Sequence, residues 1–349
     1  MSFLNNVWYA SAWSDELVND RRILSRTIAN EPLVLFRSSS GNIAALEDRC
    51  PHRLAPLSMG QLTERGIRCG YHGLEFNPTG ACIANPHGSI ANALRVRTYP
   101  ICERYGVLWV WLGEAGESDP RMIPDMSFVS RVPETAFSKG YLPTAASHLL
   151  LTDNILDLSH ADYLHPETLG GGAMTRARAR VEDRQGSVRV IWDSVDETNI
   201  PIFRSLMPTP ETRVDMWTEV EWFPNGVMIL HAGATPTGRP REDGIDTWNA
   251  HIMTPECVDR THYFYCNSRN YHMNDAEFNR LFAAGLRAAF ANEDKPMIEA
   301  QQQRVGNVDL LEQRPSLMSI DIGSVTVRRR YAQLLQTERA QRAAQPVSP

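Results

Sequence analysis

Cys50-Pro51-His52 and, after a gap of sixteen residues, Cys69-Gly70-Tyr71-His72 decide how this chain is read. Each segment carries one cysteine and one histidine, and the order of the four narrows the metal centre they could build. A Cys2His2 zinc site usually shows a cysteine pair followed by a histidine pair; here the two types alternate. In one kind of [2Fe–2S] cluster, two cysteines hold one iron and two histidines hold the other. Cys-x-His followed by Cys-x-x-His lets each segment give one ligand to each iron. The remaining alternative is four unrelated residues, since free cysteine is often buried. The pattern predicts a centre that moves single electrons. Cys82, Cys102, Cys257 and Cys266 show no paired spacing and read as ordinary buried thiols of a reducing compartment.

Outward from these segments, the first third reads as short β-strands joined by turns. Pro32 to Arg37 is an apolar run, Ser38 to Gly41 turns, and Ile43 to Leu46 returns. Asn77-Pro78-Thr79-Gly80 parts Leu74–Phe76 from Ala81–Ala84, and Glu103–Gly106 parts Arg97–Cys102 from Val107–Leu112. Both ligand segments then fall at hairpin tips, where loops on a rigid sheet can converge on one group. Gly70 and Gly73 would let backbone approach the sulfurs. Gly113 to Pro133, with three prolines and little periodicity, reads as a linker. The expected division is an all-β domain over 1–115, a second domain over 116–340, and a frayed tail over 341–349.

The second domain predicts an α+β fold. His148–His160 and Asp275 to about Arg304 read as helices, the latter N-capped by Asn274. Val188–Ile191, Val214–Trp222, Val227–Ala232, Thr247–Thr254 and Thr261–Asn267 read as an antiparallel sheet. The alternation of Arg and Ala over Arg176–Arg180 reads as a solvated face or loop.

Within the first helix, Asn154, Asp157 and His160 are spaced by three, so they drift slowly along one face. Ile155, Leu156 and Leu158 beside them are apolar, and a polar stripe buried there costs free energy unless it binds something. His165 would diverge from His160 by about 140° on a continuous helix, but Pro166 disfavours helix at His165 and frees it to swing back. Two convergent imidazoles near an acid begin a two-histidine, one-carboxylate set for mononuclear iron(II); the alternative is a helix end with two surface histidines. The third ligand should come from the long helix. Leu286, Phe290, Asp294 and Ile298 share a stripe at spacing four, and Pro296 should bend the helix beside it. Glu293 is nearly as well placed, and periodicity does not choose between the two acids.

The formal net charge of −6 and the lack of a basic run argue against nucleic acid. No apolar run approaches the roughly 20 residues that span a bilayer, and Met1 to Trp13 lacks the layout of a secretory signal. A soluble cytoplasmic protein is expected.

These residues match a known pattern over nearly the whole chain. Asn6-Val7-Trp8-Tyr9-Ala10, Cys50 to Pro56, Cys69 to Phe76, Asp153 through His165, and Glu293 to Gln301 together resemble the oxygenase components of Rieske non-haem iron oxygenases. Within that superfamily the chain is most similar to the vanillate and dicamba O-demethylase group, with toluenesulfonate methyl-monooxygenase a close relative. The resemblance favours Asp294 as third ligand. It implies a helix-grip second domain and a head-to-tail homotrimer, in which Asp157 accepts hydrogen bonds from His160 and from the neighbour's cluster ligand His72. It implies a [2Fe–2S] cluster, mononuclear Fe(II), O2 as co-substrate, and a ferredoxin or reductase carrying electrons from NADH. The expected reaction hydroxylates a methoxy carbon of an aromatic acid, and the hemiacetal then releases formaldehyde. Ring hydroxylation and sulfonate-type methyl hydroxylation are the alternatives; a pure electron carrier would need only the first third of the chain. His251 lies where relatives place a substrate-binding histidine, the other reading being a strand histidine with a backbone partner. Asn154 would sit close behind the iron ligands. Arg49, Arg53 and Arg68 could dock an acidic reductase or form a solvated rim.

Overall fold

The computed structural model describes residues 3–18, 23–38 and 41–344. The chain divides into Asn5–Ile123 and a second unit of Met1–Leu4 with Pro124–Pro349, so the break falls after Ile123 and not at 115. The reason is local. Trp8 Nε1 donates to the Asp119 carbonyl and Arg104 Nη1 to the Pro120 carbonyl, both at 2.9 Å, which ties the turns after Leu112 back onto the strands.

In the first unit, Val7–Trp13 pairs antiparallel with Val107–Leu112, which pairs with Ile101–Arg104. The turn Tyr105-Gly106 has both residues in the left-handed region, φ 57° and 72°, the two-residue hairpin geometry that matches strand twist. A second sheet runs Ile23–Ile28, Glu31–Arg37, Ile43–Glu47, Thr98–Tyr99. Period-two alternation divides its side chains. Leu33 and Leu35 join one core with Tyr9, Leu108 and Val110, while Val34 and Phe36 join another with Ile67, Phe76 and the thiols Cys50 and Cys69. A third small sheet, Gln61–Leu62, Ile67–Arg68, Glu75–Phe76, Cys82–Ala84, flanks the second ligand segment. All six cysteines are free, but Cys102 and Cys257 are only half-buried, unlike the expectation for them.

The second unit holds a seven-stranded antiparallel sheet in the order Phe137–Thr144, Arg260–Arg269, Ile245–Cys257, Val227–Pro236, Arg213–Trp222, Ser187–Thr198, Arg180–Arg184. The two edges escape a reading by apolar alternation, for a physical reason. Edge strands carry proline and charge that blunt further pairing: Lys139 and Pro143 on one, Arg180, Glu182, Asp183 and Arg184 on the other. Part of the Arg176–Arg180 stretch therefore leads into a strand.

Against this sheet lies a nearly continuous helix, Ala276–Ala288, a π-helical stretch Ala289–Asp294, and Lys295–Val305. Its N-cap is Asp275 and not Asn274, because the Asp275 carboxylate accepts the Phe278 amide at 2.9 Å. The π stretch precedes Pro296, which has no N–H for the Asn292 carbonyl and would crowd it in a tight α turn; wider i→i+5 bonding accommodates the fault. Leu286, Phe290, Asp294 and Ile298 are all buried. The Phe290 ring sits 5.1 Å from Tyr265 and 5.5 Å from His251 on the sheet. The fold is the α+β arrangement expected, with an antiparallel sheet around a long helix.

A last helix, Ile322–Ala344, replaces the expected fraying over 341–344; residues 345–349 lie outside the described residues. Val327 and Tyr331 are buried in it. Arg328, 5% exposed, donates to both Asp153 oxygens (2.6 to 3.1 Å) and to Asp309 at 2.9 Å. No helix among the described residues is long and apolar enough to cross a membrane.

Candidate metal centres and substrate cavity

The two ligand segments are closed by the same pair of backbone bonds. Cys50 N–H donates to Ala55 O and Leu54 N–H to Cys50 O; Cys69 N–H donates to Leu74 O and Gly73 N–H to Cys69 O. The fifth residue of each loop is left-handed, Leu54 at φ 58° and Gly73 at φ 76°. Gly73 therefore serves the turn, and a Cβ on Gly70 would meet the Met59 carbonyl at 2.9 Å; neither position is explained by an approach to sulfur. Buried acids brace both loops. Asp48 accepts the Ser58 amide and hydroxyl at 2.7 and 2.6 Å, and Glu75 accepts the Thr63 hydroxyl at 2.7 Å and Arg68 at 3.1 Å.

The loops bring the cysteines together inside and the histidines together outside. Burial and the neighbouring Cys69 thiol push Cys50 up to about 11, so the Cys50 thiol ionises readily only beside a strong positive charge. The His52 and His72 ring centres are 4.5 Å apart. Among the described residues the quartet is not a set that closes around one ion, as a single zinc would require; a two-iron group, with cysteines on one metal and histidines on the other, fits this split. Arg49, Arg53 and Arg68 are all exposed near the loops, with Arg68 on Glu75 and Arg49 3.6 Å from Glu47.

The second site starts where the helix His148–Leu156 stops. Asp157 leaves helical conformation (φ −124°, ψ 87°), and its carboxylate accepts the Ser159 amide and hydroxyl at 3.1 and 2.7 Å, bonds that compete with helix. Asn154, Asp157 and His160 are therefore not one helical stripe. A 3-10 turn, Leu158–His160, folds His160 back beside Asn154, and the short helix Ala161–Leu164 ends at His165 ahead of Pro166. His160 Nδ1 donates to the Asp157 main-chain carbonyl. The expected bond from His160 to the Asp157 carboxylate is not made: His160 Nδ1 is taken by the Asp157 main-chain carbonyl, and Ser159 turns one carboxylate oxygen to itself.

His160, His165 and Asp294 converge, with one ligand atom from each inside a 4.8 Å span. Asp294 Oδ1 lies 3.0 Å from His165 Nε2 and 3.4 Å from His160 Nε2. Two ligands about 2.1 Å from one ion and roughly at right angles are separated by about that much, so the donor set suits a divalent iron. Burial would raise Asp294, but the two imidazoles outweigh it and hold the carboxyl down to about 2. Asn154 Nδ2 also donates to Asp294 Oδ1, at 3.1 Å.

Glu293 has a different task from the one spacing left open. Its carboxylate accepts from His165 Nδ1, which fixes the tautomer that turns Nε2 toward Asp294. Sequence spacing carries no signal for this, since it depends on which ring nitrogen faces which of two adjacent acids. A carboxylate behind a metal-bound histidine usually supports binding by 10–100-fold. Glu293→Ala should weaken iron binding by about that factor, read by chelator competition, while Glu293→Gln, which keeps an acceptor, should lose less; equal affinity in all three proteins would remove the role.

The triad borders a cavity of about 140 Å³ whose walls are mostly apolar, among them Trp192, Phe203, Trp217 and Phe290. A closed apolar space of about 150 Å³ holds one benzene ring. His251 lines this space and shares a hydrogen bond with the Tyr263 hydroxyl at 2.7 Å, a side-chain partner and not the backbone one considered above. Burial pushes His251 down to about 4.

A family model described as the Rieske [2Fe–2S] domain matches residues 7–100, and one described as the vanillate O-demethylase oxygenase C-terminal domain matches residues 144–337. The chain belongs to the Rieske non-haem iron oxygenases. This oxygenase is 36% identical to the oxygenase component of dicamba O-demethylase of Stenotrophomonas maltophilia, over 97% of its own length and 100% of the relative's. It is 34% identical to the oxygenase component of chloroacetanilide N-alkylformylase of Rhizorhabdus wittichii, over 94% of each. A crystal structure of dicamba monooxygenase bound to 3,6-dichlorosalicylic acid superposes with a TM-score of 0.90, at 34% identity, covering 99% of this chain and 100% of that one. The oxygenase is the terminal component of a multicomponent monooxygenase, with a Rieske [2Fe–2S] cluster and non-haem iron as cofactors and O2 as co-substrate; a reductase or ferredoxin is its electron donor.

Proposed function

We propose that this oxygenase removes a methyl group from a single-ring aromatic ether, releasing formaldehyde and leaving a phenol. The observation that carries the reading is a ring-sized apolar cavity bordered directly by the His160, His165 and Asp294 triad. Cys50, His52, Cys69 and His72 would hold the cluster, and the triad would hold Fe(II). The bound iron supplies positions open to oxygen, which two histidines and one carboxylate leave free. The chain's own groups do the rest. Glu293 and the Asp157 carbonyl fix the two imidazoles through Nδ1, and Asn154 steadies Asp294. The apolar walls keep water away, and His251 offers a polar contact.

We further propose, from the family resemblance, a head-to-tail homotrimer, electrons originating in NADH, and a cytoplasmic setting. In that assembly Asp157 would meet the neighbour's His72 with the oxygen that Ser159 leaves free. Asp157→Asn keeps an acceptor for Ser159, so both metal sites should stay loaded while turnover falls by about 10²-fold or more, as when a preorganised electrostatic partner is lost. Full activity in the loaded variant would sink the bridge. An aromatic acid is the finer reading of the substrate: one solved relative holds 3,6-dichlorosalicylic acid, while another relative is named for chloroacetanilides.

The test is reconstitution with NADH and a reductase and an assay of methoxyarenes for formaldehyde. Hydroxylated ring product without formaldehyde would replace demethylation by ring hydroxylation.

A further inference from the structure

His251 and Tyr263 stand on adjacent strands, Ile245–Cys257 and Arg260–Arg269. His251 is paired with Tyr265, two residues from Tyr263, so all three side chains project from one face of the sheet. Phe290 of the long helix covers them, with ring centres 5.5 Å from His251 and 6.0 Å from Tyr263. His251 and Tyr263 are both buried. Burial pushes the imidazole down and the phenol up, so both groups are uncharged.

A neutral imidazole carries one proton, so the 2.7 Å bond between His251 Nδ1 and the Tyr263 hydroxyl has two possible directions. If Nδ1 held the proton, the Tyr263 hydrogen would need another acceptor, and the hydroxyl has no second partner among the described residues. A buried hydroxyl hydrogen left unpaired costs free energy. The hydroxyl therefore donates to Nδ1, and the ring proton sits on Nε2. Nε2 has no protein partner and is not sealed off from the cavity that His251 lines. The same hydroxyl decides which way the ring faces. Turned over about Cβ–Cγ, the imidazole would put a carbon in place of each nitrogen, losing Tyr263 and offering the cavity only C–H.

We infer that Tyr263 is a positioning residue for substrate binding, its hydroxyl holding His251 in the one orientation and tautomer that presents an N–H donor to the cavity. The complementary group on the ligand is an acceptor attached to the ring, such as a carbonyl or the carboxylate of an aromatic acid. This rests on the cavity being the substrate site of the reading above.

The test is calorimetry on the cluster- and iron-loaded enzyme without reductant. The ligands are 3-methoxyacetophenone and 3-ethylanisole, which has CH2 where the ketone has its carbonyl. Tyr263→Phe should weaken the ketone about tenfold, the scale of one hydrogen bond, and leave 3-ethylanisole unchanged. In a His251→Ala background the same substitution should change neither, because Tyr263 acts only through that ring. Equal loss for both ligands, no loss for the ketone, or the same loss without His251 each overturns the inference. A second measurement needs no variant. In the full chain with its cluster, and with zinc(II) in the triad, the nitrogen-15 signals of His251 should show a bare Nδ1 and a protonated Nε2; a proton on Nδ1 overturns the inference. Formaldehyde from the ketone reads the demethylase activity separately. Its absence beside the expected binding pattern removes the demethylase reading and keeps the role of Tyr263, and formaldehyde without that pattern does the reverse.

Discussion

Replacing His160 with alanine is expected to lower turnover by about 10³-fold or more, the scale on which loss of a group essential to the chemistry is felt, while the cluster's visible spectrum persists. The separation follows from where the two proposed sets of ligands sit. Cys50, His52, Cys69 and His72 belong to Asn5–Ile123, whose loops are closed by their own backbone bonds. His160 belongs to the other unit and is placed by the turn at Leu158–His160. Its removal takes one of three donors from the triad and leaves His165 and Asp294 facing one another. Iron per chain should fall by one equivalent, with the two cluster irons retained. Full iron content in the variant would remove His160 from the ligand set, and loss of the cluster spectrum would show that the two centres are not independent.

Replacing Arg328 with alanine should cost the second unit about 3–5 kcal/mol, the usual penalty for removing one partner of a buried ion pair. The penalty arises because Asp153 and Asp309 would be left facing an emptied guanidinium site. Asp153 lies on the helix that carries Asn154 and Asp309 caps the turn Leu310–Gln313, so one side chain clamps the C-terminal helix to the element that leads into the iron site. Chemical denaturation followed by far-ultraviolet circular dichroism would measure the loss. Arg329→Ala is the control: that side chain is exposed, and surface substitutions usually stay within about 0.5 kcal/mol. Equal effects of the two substitutions would deny Arg328 its structural role.

Chemistry written over short spans is legible in this sequence. The alternating Cys and His of the two loops announces a mixed-ligand centre, and Pro166 after His165 tells that the helix must release that residue. Spacing four along Leu286, Phe290, Asp294 and Ile298 marks the buried face despite the π stretch in its path. What depends on partners far along the chain is not legible. Nothing in Val327-Arg328-Arg329-Arg330 tells which arginine is buried, since the answer lies with Asp153 and Asp309. The early end of the helix at Leu156 turns on bonds from the Ser159 amide and hydroxyl to the Asp157 carboxylate, which compete with a helix its neighbours would favour. Cavity walls, too, come from strands whose facing residues are fixed only by register.

The widened turn at Ala289–Asp294 holds one residue more than a regular helix would place there. Glu293 and Asp294 both address His165, one at each ring nitrogen, although neighbours on a regular helix point about 100° apart. Removing one residue ahead of them would straighten the helix and swing the downstream acid by about that angle, off the imidazoles and onto another face. The proposed capacity to hold iron is thus stored as a surplus of length, a single unit of chain that the backbone absorbs so that two adjacent acids can serve one ring.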